Sequence, residues 1–280
     1  MPKTPLLIAL VLLPLTCLAF EPLNTDDAAT VVRDGNQIEL YAFHINNHTN
    51  SGAPVENVLT PGEEFLGGQD ARALPFTYTR GLSDTVEASI GTTYFKQPNG
   101  NYSRFANKVI SVKWRFAEAS DAQWAFAVKP ILSLPSTTQQ QIGGLGYAAL
   151  NYGGGLIGSL YFDPFDIHVN ASYMRSPYNI NYAVNQSYDT NRTNIYFLSV
   201  APVWKILPGL KLALDMGLNT NPPTTEQYLL NYALIAVIIS PLDSVDIGLS
   251  YLRSAANMGI LSSGLGPYAT RTEVGLTWRF

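Results

Sequence analysis

The chain has 280 residues, a formal net charge of −4 and only 14% charged residues, well below the roughly 25% of an average soluble domain. One cysteine and the lack of any basic block exclude a disulfide scaffold and give no footprint for nucleic acid. Mean hydropathy is only +0.05, and past the start no stretch reaches the roughly 18 apolar residues of a spanning helix. Few charges without apolar blocks is what membrane strands produce, because only alternate residues meet lipid.

Met1–Ala19 reads as a secretory signal: Lys3 is the positive end, Leu6–Leu15 the apolar core, and Cys17-Leu18-Ala19 a small-residue cleavage site. Pro14-Leu15-Thr16 fits a lipoprotein signal badly, so cleavage is placed after Ala19, and Cys17 leaves with the signal. Residues 20–35 form a polar lead-in, expected to tuck into the periplasmic mouth and narrow it.

From residue 36, twelve segments alternate or run apolar between turn signals: 36–44, 71–80, 86–95, 105–116, 123–134, 147–161, 165–174, 193–204, 210–219, 228–240, 245–253 and 268–280. Phe165, Ile167, Val169, Ala171 and Tyr173 oppose Asp166, His168, Asn170 and Ser172; Leu210, Leu212, Leu214, Met216 and Leu218 oppose Lys211, Ala213, Asp215, Gly217 and Asn219. The eighth and tenth segments are apolar on both sides and leave their facing open. Short connections (Gly81–Thr85, Ala117–Ala122, Phe162–Pro164, Lys205–Gly209, Pro241–Ser244) alternate with long ones, and the 45–70 connection has room for a further hairpin. Trp114, Trp124, Trp204 and Trp278 fall at the short-turn end, and Tyr94, Tyr173, Tyr251 and Tyr268 near the long-loop end, as two interfacial girdles would. The expectation is one all-β domain over 36–280: a single antiparallel transmembrane β-barrel of twelve strands, with short periplasmic turns and long extracellular loops. A soluble sandwich also alternates, but requires no such alternation of loop length.

The closing residues Glu273, Gly275, Trp278 and Phe280 resemble the terminal strand of bacterial outer-membrane barrels, which implies recognition by the barrel assembly machinery as a partner. The opening Glu21-Pro22-Leu23-Asn24-Thr25-Asp26-Asp27-Ala28 resembles that of the outer-membrane "transporter" family named for the MetA pathway of phenol degradation. Gly35, Gln37, Glu39 and Leu40, and the Pro75-Phe76 to Asp84 hairpin, extend the likeness. It implies a Gram-negative outer-membrane barrel that passes small, often apolar or aromatic, compounds.

Catalytic, metal and cofactor readings are weak. His44 and His48 begin an Asn/Thr-rich loop rather than a helix, so their spacing does not make a metal pair. His168 stands on an inward face and is expected to pair with Asp166 or a neighbour; no outward His/Ser pair suggests a lipid-modifying barrel enzyme. Gly144-Leu145-Gly146 mimics a dinucleotide fingerprint but lacks its strand and helix context. Asp26-Asp27 lacks further ligands for Ca²⁺.

Strand parity turns Glu39, Glu87, Lys113, Arg115, Lys129, Asp166, His168, Lys211, Asp215, Asp246, Arg271, Glu273 and Arg279 inward as pore-lining candidates, because charges facing lipid are costly. Twelve strands lie between eight-stranded barrels that side chains fill and sixteen-stranded open porins. The expected function is therefore a narrow passive channel for small, hydrophobic or aromatic solutes, with membrane lipid and solute as partners and no cofactor. A structural or adhesive barrel is the alternative.

Overall fold

The computed structural model describes residues 22–48, 57–60, 63–65, 70–97, 99–143, 145–146, 148–175, 193–220, 229–255 and 268–280. The stretch expected to be an export signal, Met1–Ala19, and most of the long connections, including 49–56, 176–192, 221–228 and 256–267, lie outside them.

Fourteen strands are described. In chain order they are β1 (Asn36–His48), β2 (Asn57–Thr60), β3 (Glu63–Phe65), β4 (Ala71–Gly81), β5 (Val86–Gln97), β6 (Phe105–Glu118) and β7 (Trp124–Ser133). After a short helix α1 (Thr138–Ile142) come β8 (Asn151–Phe162), β9 (Phe165–Arg175), β10 (Asn194–Leu207), β11 (Leu210–Thr220), β12 (Leu229–Leu242), β13 (Val245–Ala255) and β14 (Tyr268–Arg279). Strands β4 to β14 and β1 pair in sequence order, and β1 closes on β14, giving a twelve-stranded antiparallel barrel. The hairpin that the 45–70 connection had room for forms as β2–β3, a separate two-stranded sheet.

Alternation decides which face each residue takes. In β9, Asp166, His168 and Asn170 are buried inside while Phe165 and Val169 are exposed outside. The two ambiguous strands take their facing from their neighbours, since cross-strand partners share a face. Inward Asp215 stands opposite Leu234, which fixes Tyr232, Leu234, Ala236 and Ile238 as inward and Ile235, Val237 and Ile239 as outward. In β10, Phe197, Ser199, Ala201 and Val203 turn in, and Tyr196, Leu198 and Trp204 turn out. The outer surface is thus a band of exposed aliphatic side chains, with all four tryptophans exposed near the short turns.

Prolines interrupt the wall. A proline has no N–H to donate, and a closed barrel has no edge strand on which to place it. Beside Pro75 the β1–β4 pairing runs from Leu40↔Phe76 to Phe43↔Ala73 with two steps unpaired and no change of register. Pro130 leaves the same interruption between β6 and β7, and Pro202 between β10 and β11.

Gly275 has a packing role beside its place in the terminal pattern. The Tyr41 ring lies across it, so a β-carbon there would stand 2.1 Å from Tyr41 Cδ1. Tyr41 Oη meets Thr277 Oγ1 at 3.1 Å, which holds the ring flat. Gly275→Val is expected to lower the folded fraction on refolding into detergent, since overpacking alone costs about 1–3 kcal/mol. Electrophoretic mobility of unheated samples reads this directly; Tyr41→Ala in the same chain restores the yield. An undiminished yield from the single variant would show that the ring moves aside freely.

Candidate functional site

The lumen is crossed by the chain's own N-terminal segment. Residues 22–35 form no ladder with the barrel; instead their polar groups bond to inward side chains of strand after strand. Asp215 of β11 accepts from the Asn24 and Thr25 main-chain nitrogens (2.6 and 2.9 Å) and from Thr25 Oγ1 (2.7 Å). Thr25 Oγ1 also reaches Ser199 of β10, and Tyr232 of β12 donates to Asp215 at 2.7 Å. Arg271 of β14 donates to Asn24 Oδ1 at 2.8 Å. With its amide oriented nitrogen to carbonyl, Asn170 of β9 bonds both main-chain groups of Asp26 (2.9 and 2.6 Å). Further along, Ala28 N donates to Ser159 of β8 and Val31 N to Glu87 of β5 (2.9 and 2.6 Å).

The tightest part is ionic. Lys113 of β6, with a side chain only 1% exposed, stands 3.3 Å from Asp26, 3.8 Å from Asp27 and 3.1 Å from Glu87. Lys129 of β7 holds the other Asp26 oxygen at 2.7 Å. Burial pushes the Asp26 carboxyl up, but Lys113 and Lys129 together outweigh it and hold the group well below the usual carboxylate range. Asp27 is different: burial pushes it up to about 7, Asp26 and Glu87 add to that, and Lys113 only partly opposes them.

These opposite shifts give docking of the segment a pH dependence with a definite sign. A raised carboxylate binds its proton more tightly docked than free, so its contribution is present below the ordinary value and is lost as pH rises through about 7. The contribution of Asp26 is present above its ordinary value and lost only in stronger acid. Near neutrality Asp27 therefore decides the sign. The segment should undock more readily as the bath is taken upward through pH 7, and Asp27→Asn should flatten that dependence; limited proteolysis of the folded barrel across the range checks both.

The exit from the lumen towards β1 is a tight turn. Asp34 adopts φ +63°, Asp34 N and Gly35 O bond Gly81, and Arg80 holds the Asp34 carboxylate at 3.0 Å. A β-carbon on Gly81 would stand 1.9 Å from the Val32 carbonyl oxygen, so only glycine fits there.

Towards the long loops the lumen becomes apolar. Phe43, Ile45, Ala71, Ala73, Phe95 and Leu252 form one buried cluster with Tyr232 and Leu234. Leu145, from the connection after β7, reaches into it with no exposed surface. That connection contains α1: Thr137 and Gln140 satisfy each other's main-chain nitrogens in a capping box, and Gln140 Nε2 donates to the Ser103 and Phe105 carbonyls.

Between segment and apolar cluster lies a cavity of about 240 Å³. Leu23, Asn24 and Asp26 of the segment border it, together with Glu39, Glu87, Lys129, Arg271 and Glu273. Hydroxyls of Thr77, Thr79, Ser89, Thr93, Ser111 and Ser172 alternate around it with Val109, Ile131, Ile157 and Phe197.

The candidates from sequence thus divide. Glu39, Glu87, Lys129, Arg271 and Glu273 border the cavity; Lys113 and Asp215 are spent on the segment behind it. Glu39 accepts a hydrogen bond from Gln37 Nε2 (3.0 Å), and Arg271 pairs with Glu273 (3.2 Å). The rest gather near the short-turn end, away from the cavity. Arg115 bonds the Asp84 carbonyl and Glu118, Lys205 pairs with Asp166 at 2.7 Å, and Arg279 pairs with Asp246, while Lys211 faces Lys205 across the ladder.

His168 bonds Ser159 across the strands, Nδ1 to Oγ at 2.9 Å. A serine–histidine pair invites a hydrolytic reading. Ser159 Oγ, however, also receives the Ala28 N–H, both residues are buried under the segment, and among the described residues no carboxylate orients the ring. The pair latches the segment.

Sequence reasoning missed Ser159, Ser199 and Tyr232 as partners of the segment, and it missed the apolar half of the lumen. The second was within reach: the parity that turns Glu39 inward also turns Tyr41, Phe43 and Ile45 inward.

No protein-family model and no curated protein matches the sequence. The fold is similar to that of several solved outer-membrane proteins. The COG4313 outer membrane channel from Pseudomonas putida F1 superposes with a TM-score of 0.62 at 9% identity, covering 89% of this chain and 97% of that one. The NanC porin follows with 0.53 at 10% identity, covering 85% and 98%. The KdgM porin gives 0.51 at 9% identity, covering 86% and 99%. At such identities the likeness is one of fold.

Proposed function

We propose that this chain is an outer-membrane channel for passive passage of small, hydrophobic or aromatic solutes, occluded at rest by its N-terminal segment. Export by Met1–Ala19 and the likeness to the MetA-pathway transporter family belong to the same reading. The observation that carries it is the partly open cavity in the lumen, floored by the segment and walled by Val109, Ile131, Ile157 and Phe197 among hydroxyl and charged side chains. An engineered apolar cavity of about 150 Å³ holds benzene, whereas drug-sized ligands need about 300–1,000 Å³. A volume of about 240 Å³ therefore suits one substituted six-membered ring. Its wall offers such a ring both apolar contact and hydroxyl groups; Ser172 Oγ has no hydrogen-bond partner among the described residues.

Charge on the cavity wall is mixed and largely paired within the protein, so ion selectivity is expected to be weak. The test is reconstitution of the refolded mature protein in planar bilayers, with flux of a small aromatic alcohol measured in parallel. Small reproducible conductance steps with weak selectivity, reduced by the aromatic alcohol, are expected. Folded protein that passes neither ions nor the alcohol overturns the channel reading and favours a structural barrel.

A further inference from the structure

Of the three mid-strand prolines that interrupt the ladder, only Pro75 borders the cavity, and its neighbours Phe76 and Thr77 border it too. Phe76 and Thr92 are cross-strand partners on the outward alternation, yet both border the cavity, which therefore reaches the wall itself here. Two further features thin it. Gly91, inward and opposite Thr77, has no side chain to stand in the gap. The β5–β6 register shifts between Gly91 and Thr93, and Thr92 caps the Ala106 carbonyl with its hydroxyl at 3.0 Å.

The unpaired steps themselves are lightly filled. Tyr41, which stands level with Pro75, turns its ring away across Gly275 and bonds Thr277. On the outer face the register sets Ala42 level with Leu74, with the exposed Leu40–Phe76 pair on one side and the His44–Arg72 pair on the other. This is the long-loop edge of the aliphatic band, where Leu74 pairs with girdle Tyr94, so a gap here opens onto hydrocarbon on its Leu40–Phe76 side. The way out towards the short turns crosses the floor of Asp26, Lys113 and Lys129, whose charges an apolar solute cannot solvate.

We propose that the β1–β4 seam at Pro75 is a lateral gate, through which an apolar solute held in the cavity passes into the hydrocarbon of the membrane. The proposal rests on the channel reading of the cavity but concerns a different wall from the N-terminal segment. Opening needs no strand to leave the barrel: the two steps beside Pro75 are already outside the paired ladder, where Pro75 has no N–H to donate, and the Leu40↔Phe76 and Phe43↔Ala73 pairs hold on either side.

The test closes the seam covalently. Antiparallel partners lie within the Cα separation that a disulfide spans, and the only natural cysteine, Cys17, lies in the stretch expected to be an export signal. Ala42→Cys/Leu74→Cys is expressed in cells with a lipopolysaccharide outer leaflet, and uptake of the apolar one-ring dye 4-(dimethylamino)benzonitrile is followed by its fluorescence. The same protein is recorded in planar bilayers. Oxidation is expected to reduce uptake to the level of cells lacking the protein, reductant to restore it, and the ion conductance to stay unchanged. Pro75→Val, which returns an N–H to the ladder, is expected to lower uptake in the same direction. A control disulfide between Leu212→Cys and Val237→Cys, partners in the β11–β12 seam, should leave uptake intact. Uptake that survives the Ala42–Leu74 disulfide, or that falls equally with the control disulfide, overturns the gate while leaving the channel standing. Loss of conductance together with uptake overturns it as well, since one axial path would then serve both. Wild-type protein that neither conducts nor admits the dye overturns the channel reading and the gate with it.

Discussion

Deleting residues 20–33 raises the unitary conductance several-fold. The segment bonds to inward residues of β5, β6, β8, β9, β10, β11 and β14, so it fills the lumen across nearly its whole width. Its removal leaves the barrel closed: β1 keeps its pairing with β14 from Gln37↔Arg279 onward, and Asn36 keeps both main-chain bonds to Phe280. Carboxylates and ammonium groups that had bonded the segment become hydrated and line an aqueous path. The increase has a ceiling, because Leu145 and its apolar neighbours still constrict the other half in series. Single-channel amplitudes of intact and shortened protein at equal salt decide the matter. An unchanged amplitude from a folded deletion would mean that ions never pass where the segment lies.

Lys113→Met should unlatch the segment far more often than Lys129→Met. Lys113 is 1% exposed and is the common partner of Asp26, Asp27 and Glu87. Removing one partner of a buried ion pair costs about 3–5 kcal/mol, because the partner charges stay behind uncompensated. At about 1.4 kcal/mol per factor of ten, the ratio of open to closed time rises by at least about a hundredfold. The Lys129 side chain is 30% exposed, so water screens its pair with Asp26 and the effect falls towards that of a surface bridge, about 1 kcal/mol or less. Dwell-time analysis of both variants separates the cases. Equal effects would show that the lumen is wet enough to screen Lys113 as well.

The barrel was legible because its signals are local. Alternation in Phe165–Ser172 and Leu210–Asn219, turn residues between strands, and the alternation of short and long connections all reflect a period of two against lipid. The observed strands start and end within a few residues of the expected segments, apart from the first, which runs on through His44 to His48 where a loop was expected, and the sixth, whose expected first residues belong to the connection carrying Leu145. Facing was readable wherever one side was polar, and unreadable in β10 and β12, where both sides are apolar and only the neighbouring strands settle it.

The inward charges were readable by parity, but their division was not. Nothing within Lys113 or Arg115 says that one clamps three carboxylates while the other sits at the rim, since their partners are remote in sequence. Asp215 likewise reads as a pore charge until Asn24 and Thr25, about 190 residues away, are seen on it.

What the sequence by itself determined is the class of wall: strand number, alternation, the aromatic ends and a lumen carrying charge, all set by near neighbours meeting lipid or water. What only the tertiary structure decided is the content of that lumen. The course of residues 22–35, the apolar roof with Leu145, and the cavity beside Pro75 depend on groups brought together by closing the barrel. Closure converts separate inward faces into one shared interior, where each polar group must find a partner wherever the chain happens to bring it.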